Sequence, residues 1–70
     1  MNWALFTNVA TCFIVVDGHS CEIEVRFSEV DGDWHVGLIY PSGEGEELFV
    51  APSFMESLEM AEGFRIVHCE

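Results

Sequence analysis

The stretch TCFIVVDGHSCEIEVRF, residues 11–27, carries the pattern that decides the fold. Residues 11–16 form a run of β-branched and aromatic side chains, which is typical of a strand. Residues 21–27 alternate strictly between apolar and charged side chains, which indicates a strand with one buried face. Between them, Asp17-Gly18 is the strongest short signal for a hairpin turn. The stretch therefore predicts an antiparallel hairpin.

A two-residue turn at 17–18 fixes the register of this hairpin. The predicted opposite pairs are Ile14 with Cys21, Cys12 with Ile23 and Ala10 with Val25. All these side chains are apolar and share one face. A slip of one residue would send one strand's apolar set to the other face, so the register is strongly specified.

A second Asp-Gly pair, Asp31-Gly32, predicts another tight turn. It would pair Phe27 with Val36, Val25 with Leu38 and Ile23 with Tyr40. This register again places apolar residues on the same face of the middle strand, and such agreement between separate turns supports a fold. Further strands are predicted at 33–40 and 47–51, joined by the turn-rich loop 41–46.

A helix follows Pro52, which has no N–H to donate to a strand ladder. Ser53 and Glu56 have the spacing of a capping box, and Gly63 is the predicted C-cap. Residues 64–69 are rich in β-formers and predict a short last strand. The sequence thus predicts a single α+β domain over residues 1–70. It is a four-stranded antiparallel meander with one helix on its apolar face and a short C-terminal strand, in the order ββββαβ.

The charge of the chain is extreme for its size. Two Arg and no Lys stand against 13 acids in 70 residues, which gives a net charge of −11. Half of the residues are hydrophobic, and this excludes the low hydrophobicity that accompanies disorder. Such a chain is expected to avoid nucleic acid and anionic membranes and to favour basic partners.

The predicted topology groups many of the acids at the two ends of the meander. The turn at 17–18 and the loop at 41–46 share one end, which predicts one acidic patch. Its members are Asp17, Glu22, Glu44, Glu46 and Glu47, with Glu24 beside Glu22 on the strand. Asp31 and Asp33 form a second group at the other end. These eight residues are the candidate partner-binding residues.

The outer side of the predicted sheet also carries apolar residues. Phe13, Val15 and Ile39 would lie near Glu22 and Glu24. Apolar side chains on a solvated sheet face mark a partner surface or a homodimer interface. This observation favours an alternative function, that of an interaction subunit or antitoxin-like partner that binds a protein through an apolar sheet face.

The sequence contains no pattern for catalysis, a cofactor or a metal. His19, Cys21, His68 and Cys69 lack the spacing of zinc ligands, and the Asp residues around Gly32 lack the further ligands of a calcium loop. We therefore expect no enzyme activity, no cofactor and no metal. The odd cysteine count predicts reduced thiols and a cytoplasmic location, since secreted small domains carry even sets. The apolar start of the chain lacks the cationic residues of a signal peptide.

In size, in charge and in the near absence of Lys and Arg, the chain resembles the small acidic proteins of phages and mobile elements that inhibit host defence. Anti-CRISPR proteins and DNA-mimic inhibitors of restriction enzymes belong to this class. The resemblance implies a stoichiometric inhibitor that occludes a basic nucleic-acid-binding site on a target protein. It also implies a bacterial host's cytoplasm as the location and no direct binding to nucleic acid. No motif supports the resemblance, so it implies no individual residues.

Overall fold

The computed structural model describes residues 3–68, which form an antiparallel sheet with a helix packed on one face. The elements are β1 (Ala4–Phe6), β2 (Val9–Val16), β3 (His19–Phe27), β4 (Trp34–Ile39), β5 (Gly45–Ala51) and α1 (Phe54–His68). The strand order is β1-β2-β3-β4-β5, so each strand pairs with its neighbour in sequence. The predicted α+β class with an antiparallel sheet is confirmed. The differences in element order lie at the two ends of the chain.

The β2–β3 hairpin has the predicted register. Ile14 lies opposite Cys21, Cys12 opposite Ile23 and Ala10 opposite Val25, and all six residues are buried. Asp17 and Gly18 have φ values of 50° and 79°. Positive φ at both central residues is what the mirror-image two-residue turn requires, and this turn matches the twist of the strands. The pattern in residues 11–27 therefore predicted the central hairpin correctly.

The β3–β4 connection is longer than predicted, and the predicted register was wrong by two residues. Phe27 lies opposite Trp34, Val25 opposite Val36 and Ile23 opposite Leu38. The chain leaves β3 after Phe27 and forms a loop over 28–33, in which the Ser28 N–H donates to the Asp33 carbonyl at 2.9 Å. A two-residue error keeps every side chain on its face, so the apolar face was still identified correctly.

Strand β1 was not predicted. It has three residues and pairs with β2 through a turn at 7–8, so that Phe6 lies opposite Val9. Asn8 has a φ of 62°, a conformation that Asn tolerates better than most residues. Three residues are too few to show a periodic pattern, which is why this edge strand escaped prediction.

A β-bulge at Leu48 changes the direction of the side chains along β5. Val36 lies opposite Phe49, but the next residue, Gly37, lies opposite Glu47. Leu48 is therefore an extra residue in β5 with no opposite residue in β4, which is what defines a bulge. Leu48 and Phe49 both pack against the core, while Glu47 lies on the opposite side of the sheet.

The start of α1 follows the prediction. The N–H of Glu56 donates to Oγ of Ser53 at 3.2 Å, which satisfies one of the N–H groups left unpaired at the first turn. Further along, buried Ser57 donates its hydroxyl to the Phe54 carbonyl at 2.7 Å. Within residues 3–68, no helix has the length and hydropathy that crossing a membrane would require.

The predicted end of the helix at Gly63 and the predicted last strand at 64–69 were wrong. The helix continues through Gly63 to His68, and Cys69 lies outside the described residues. Contacts beyond the glycine hold the helix together. Phe64 packs against the core and stacks on His68 with ring centroids 4.3 Å apart, and Arg65 pairs with Glu62 one turn back. These contacts favour a helix that continues past Gly63, although an interior Gly costs a helix roughly 1 kcal/mol.

The two faces of the sheet differ sharply in burial. The inner face, covered by α1, consists of buried residues: Ala10, Cys12, Ile14, Cys21, Ile23, Val25, Val36 and Leu38. At one end of this face Trp34 lies between Phe27 and Phe54, with ring centroids at 5.3 Å and 5.0 Å. The outer face consists of the residues that alternate with these, and no element within residues 3–68 packs on it.

Candidate partner-binding surface

Cross-strand pairing arranges the outer face in rows that run across β2, β3, β4 and β5. The rows are Phe13–Glu22–Ile39–Gly45, Thr11–Glu24–Gly37–Glu47 and Val9–Arg26–His35–Val50. The first row sets Glu22 between two apolar residues, the second holds two acids, and the third holds Arg26 and His35. Because neighbouring strands are about 4.8 Å apart, each carboxylate in β3 has an apolar or polar neighbour within contact distance.

Large apolar side chains on the outer face are exposed. Phe13 is 76% exposed, although the register places it directly opposite Glu22. Val15 and Val50 on the same face are also exposed. The predicted placement of Phe13, Val15 and Ile39 on the face of Glu22 and Glu24 is confirmed by the register. Phe13 and Val15 lie on the same face of β2, and neighbouring exposed apolar side chains beside polar groups are typical of an interaction site.

The cation of the outer face is already paired. Nε of Arg26 donates to one oxygen of Glu24 at 2.9 Å, and a terminal nitrogen donates to the other at 3.1 Å. The hydrogen bond and charge of Glu24 raise the pKa of Arg26. A bidentate pair of this kind fixes both side chains geometrically. Arg26 therefore stays charged, with a carboxylate balancing its charge.

His35 joins two acids that the sequence analysis assigned to opposite ends of the sheet. Its Nδ1 is hydrogen bonded to Glu47, and its Nε2 is bonded to Asp31 at 2.8 Å. These bonds, with Glu47 contributing most, raise the pKa of His35. Asp31 also accepts the backbone N–H of Asp33 at 3.0 Å. That bond and the bond to His35 lower the pKa of Asp31.

Two glycines leave a shallow depression beside this network. Gly37 and Gly45 lie on the outer face in β4 and β5, and the space above them measures about 230 Å³. Glu24, Arg26, His35 and Glu47 are among its lining residues. A Cβ at Gly37 would lie in van der Waals contact with the Glu46 carbonyl oxygen at 3.4 Å, so a side chain here would fill part of the depression. The depression brings the acidic groups of β3 and β5 to one concave spot.

The predicted acidic patch divides between two surfaces. Glu22, Glu24 and Glu47 lie on the outer face. Glu46 lies on the other side of β5, where it accepts the Tyr40 hydroxyl at 3.2 Å. Partial burial and the charge and hydrogen bond of Glu46 raise the pKa of Tyr40. Asp17 lies in the turn between β2 and β3. Glu44 is exposed in the 40–44 connection.

The helix adds acids on the side away from the outer face. Glu56 and Glu59 are exposed. Glu62 is half-buried and holds Arg65 as well as the Trp3 indole N–H, which donates at 3.0 Å. The bonds from Arg65 and then Trp3 lower the pKa of Glu62. Both Arg residues of the chain are therefore paired with glutamates on their own elements.

Sequence reasoning missed His35 as a member of the surface. Alternation along β4 places it on the outer face, but the bulge at Leu48 that turns Glu47 toward it left no mark in the sequence pattern. Within residues 3–68, no three His, Cys, Asp or Glu side chains are arranged to hold a metal ion. No protein-family model, curated protein or solved structure matches the chain.

Proposed function

We propose that the protein is a stoichiometric inhibitor that binds a basic nucleic-acid-binding site on a target protein and thereby excludes the nucleic acid. One observation carries the proposal. The chain has 13 acids and only two Arg, and both Arg are paired with glutamates on their own strand or helix. The remaining acids leave a strongly negative surface, which attracts basic sites and repels nucleic acid.

The outer face is the surface we propose for docking. It presents Glu22, whose neighbours on the sheet are apolar, together with Glu24 and Glu47, which are hydrogen bonded to Arg26 and His35. No other element within residues 3–68 covers it. Basic sites for DNA present Lys and Arg side chains to the phosphates, and a surface rich in carboxylates is attracted to the same cations and competes for them. Carboxylates on a sheet meet such a site without the ordering cost of a flexible acidic tail.

The second candidate function is docking through apolar contacts. The exposure of Phe13, at 76%, favours it, because aromatic side chains are enriched among the residues that dominate binding energy. In this case the protein is an interaction subunit or antitoxin-like partner. The acids on the outer face would then set the on-rate and the choice of partner more than the affinity.

The experiment compares two charge reversals of equal size. Glu22→Lys with Glu24→Lys changes the outer face, and Glu29→Lys with Glu59→Lys changes exposed positions outside the candidate partner-binding residues. Each double variant moves the net charge from −11 to −11 + 4 = −7. Partners captured by the parent from a bacterial lysate are identified by mass, and the binding of each is then measured over a salt series with duplex DNA as competitor.

The proposal expects a nucleic-acid-binding partner, competition by DNA and affinity that falls steeply with salt. The outer-face reversal should then weaken binding far more than the matched reversal. Salt-insensitive binding that survives the outer-face reversal but is lost in Phe13→Ser would overturn occlusion and support the apolar alternative. Circular dichroism and melting of every variant establish that losses reflect the surface and not the fold.

A further inference from the structure

An apolar pocket lies at the end of the sheet where β1 ends and α1 begins. Its lining residues are Leu5, Phe6, Val9, Trp34 and Phe54, and its volume is about 350 Å³. Every lining residue is apolar. This volume lies at the small end of the range of about 300–1,000 Å³ for ligand pockets, so it suits one or two side chains better than a cofactor.

The inner wall of the pocket is held in place by aromatic packing. Trp34 contacts Phe27 on one side and Phe54 on the other, in tilted arrangements with centroids 5.3 Å and 5.0 Å apart. Such pairs add stability beyond their buried area. Leu5 and Phe6, in contrast, are 66% and 65% exposed. The pocket therefore combines a fixed aromatic wall with an accessible apolar rim.

Acids surround this end of the sheet. The 28–33 loop connects the end of β3 to the start of β4, so Glu29, Asp31 and Asp33 lie at the end where Trp34 begins its strand. Glu56 lies in the first turn of α1, two residues after Phe54. Val30, at the tip of the loop, is 98% exposed. Arg26 lies opposite the lining residue Val9 but is paired with Glu24, and His35 is bonded to Asp31, so the remaining acids leave a net negative charge around the pocket.

We infer that this pocket binds a large apolar side chain that has Lys or Arg residues on both sides in a partner's peptide segment. The apolar side chain would contact Trp34 and Leu5, and the flanking cations would lie near the loop acids. Anionic lipids would be repelled by the same acids. A second copy of the chain is disfavoured too, because it carries a net charge of −11. The pocket shares Val9 with the outer face, but the inference needs no nucleic-acid-binding target, so peptide binding tests it separately from the proposed function.

The test uses three acetylated and amidated pentapeptides: Lys-Lys-Phe-Lys-Lys, Lys-Lys-Ala-Lys-Lys and Glu-Glu-Phe-Glu-Glu. Binding is followed in ¹⁵N-edited NMR spectra through the indole N–H of Trp34 and the amide of Leu5. The indole N–H of Trp3, which donates to Glu62, serves as the internal control. The first peptide should shift the Trp34 and Leu5 signals saturably and leave Trp3 unchanged, with at least tenfold weaker binding of the other two.

Two variants locate the site. Leu5→Ser removes an exposed part of the rim and should weaken binding of the first peptide at least fivefold. Glu29→Gln should weaken it less and reduce its salt dependence. If the Ala peptide binds as tightly as the first peptide, charge alone drives binding. If the Glu peptide binds as tightly as the first, the contact is apolar and does not depend on charge. Either result overturns the inference. Absence of a saturable shift in folded protein, or full affinity in Leu5→Ser, also overturns it.

Discussion

Glu47 is hydrogen bonded to Nδ1 of His35 across the β4–β5 pair, although the two residues lie in adjacent rows of the sheet. The bulge at Leu48 makes this contact, because it places Glu47 and not Leu48 on the outer face. The other ring nitrogen of His35 is bonded to Asp31 in the 28–33 loop. The imidazole of His35 is therefore hydrogen bonded both to the edge strand β5 and to the 28–33 loop that precedes β4.

This relationship predicts a pH-dependent stability. Bonds to Glu47 and Asp31 raise the pKa of His35 above its ordinary value of about 6.5. A group with a raised folded-state pKa stabilises the fold below its unfolded pKa and loses that contribution as pH rises through the folded value. The Tm difference between the parent and His35→Gln should thus be largest near about pH 6 and shrink at higher pH.

At low pH, the Tm difference between the parent and His35→Gln depends on the ionisation of Asp31. The pKa of Asp31 is lowered in the folded state. Its contribution to the stability of the fold is therefore present above the unfolded-state pKa of about 3.9 and is lost as the pH falls through the folded-state pKa. The Tm difference should therefore narrow again in acid. NMR titration of His35 in Glu47→Gln should show a lower pKa than in the parent. A Tm difference that stays constant from acid to alkaline pH would contradict this account.

The fold was predictable where local chemistry and apolar pattern coincide. Asp17-Gly18 set both the turn and the register of β2 with β3. Asp31-Gly32 misled, because Gly32 does adopt positive φ (73°) but within a longer loop closed by Ser28 and Asp33. A dipeptide indicates a turn without stating how many residues join the strands.

The end of the helix provides a second prediction. Gly63 lies inside α1 and is exposed, and a Cβ there would meet no atom within 4 Å. Gly63→Ala should therefore stabilise the protein by about 0.5–1 kcal/mol, since Gly is a poor helix former. The measurement is urea unfolding followed by circular dichroism. Destabilisation instead would mean that Gly63 ends the helix in a left-handed conformation.

The hairpin turns give a third prediction, of opposite sign. Gly18 and Gly32 have φ values of 79° and 73°, and no atom lies within 4 Å of the Cβ position. A larger side chain there would therefore cause no steric clash but would force a non-glycine residue into a left-handed backbone conformation. Gly18→Val and Gly32→Val should each destabilise by about 1 kcal/mol or more. The same urea unfolding measures both, with Gly63→Ala as the matched case without strain. Parent-like unfolding of both variants would remove the basis for the turn assignments.

The cysteines give a fourth prediction. Cys12 and Cys21 are buried on the inner face and lie diagonally, since each is opposite an isoleucine. Thiol titration in denaturant without reductant should find all three cysteines of the chain reduced. In native buffer, Cys12 and Cys21 should react slowly because burial excludes the reagent. A count of one thiol in denaturant would indicate a disulfide and an oxidising compartment.

The candidate surface was less predictable than the fold. Alternation along β3 placed Glu22 and Glu24 on the outer face correctly. The association of Glu46 and Glu47 in one patch did not survive, because both lie in β5, where successive side chains point to opposite faces; the bulge decides only which of the two is on the outer face. A bulge depends on how Leu48 and Phe49 fit the core together, and this packing of distant residues has no signature in the local sequence.

The strand order has a consequence for how the chain folds. Every strand pairs with its immediate neighbour in sequence, so the sheet assembles by closing short loops, each of which costs little entropy. Proteins dominated by such local contacts fold fast for their size. We expect the Asp17-Gly18 hairpin, whose turn and apolar pairs agree, to form first, and β4 and β5 to add to it one after the other. The helix comes last and seals a sheet that its own turns have already aligned.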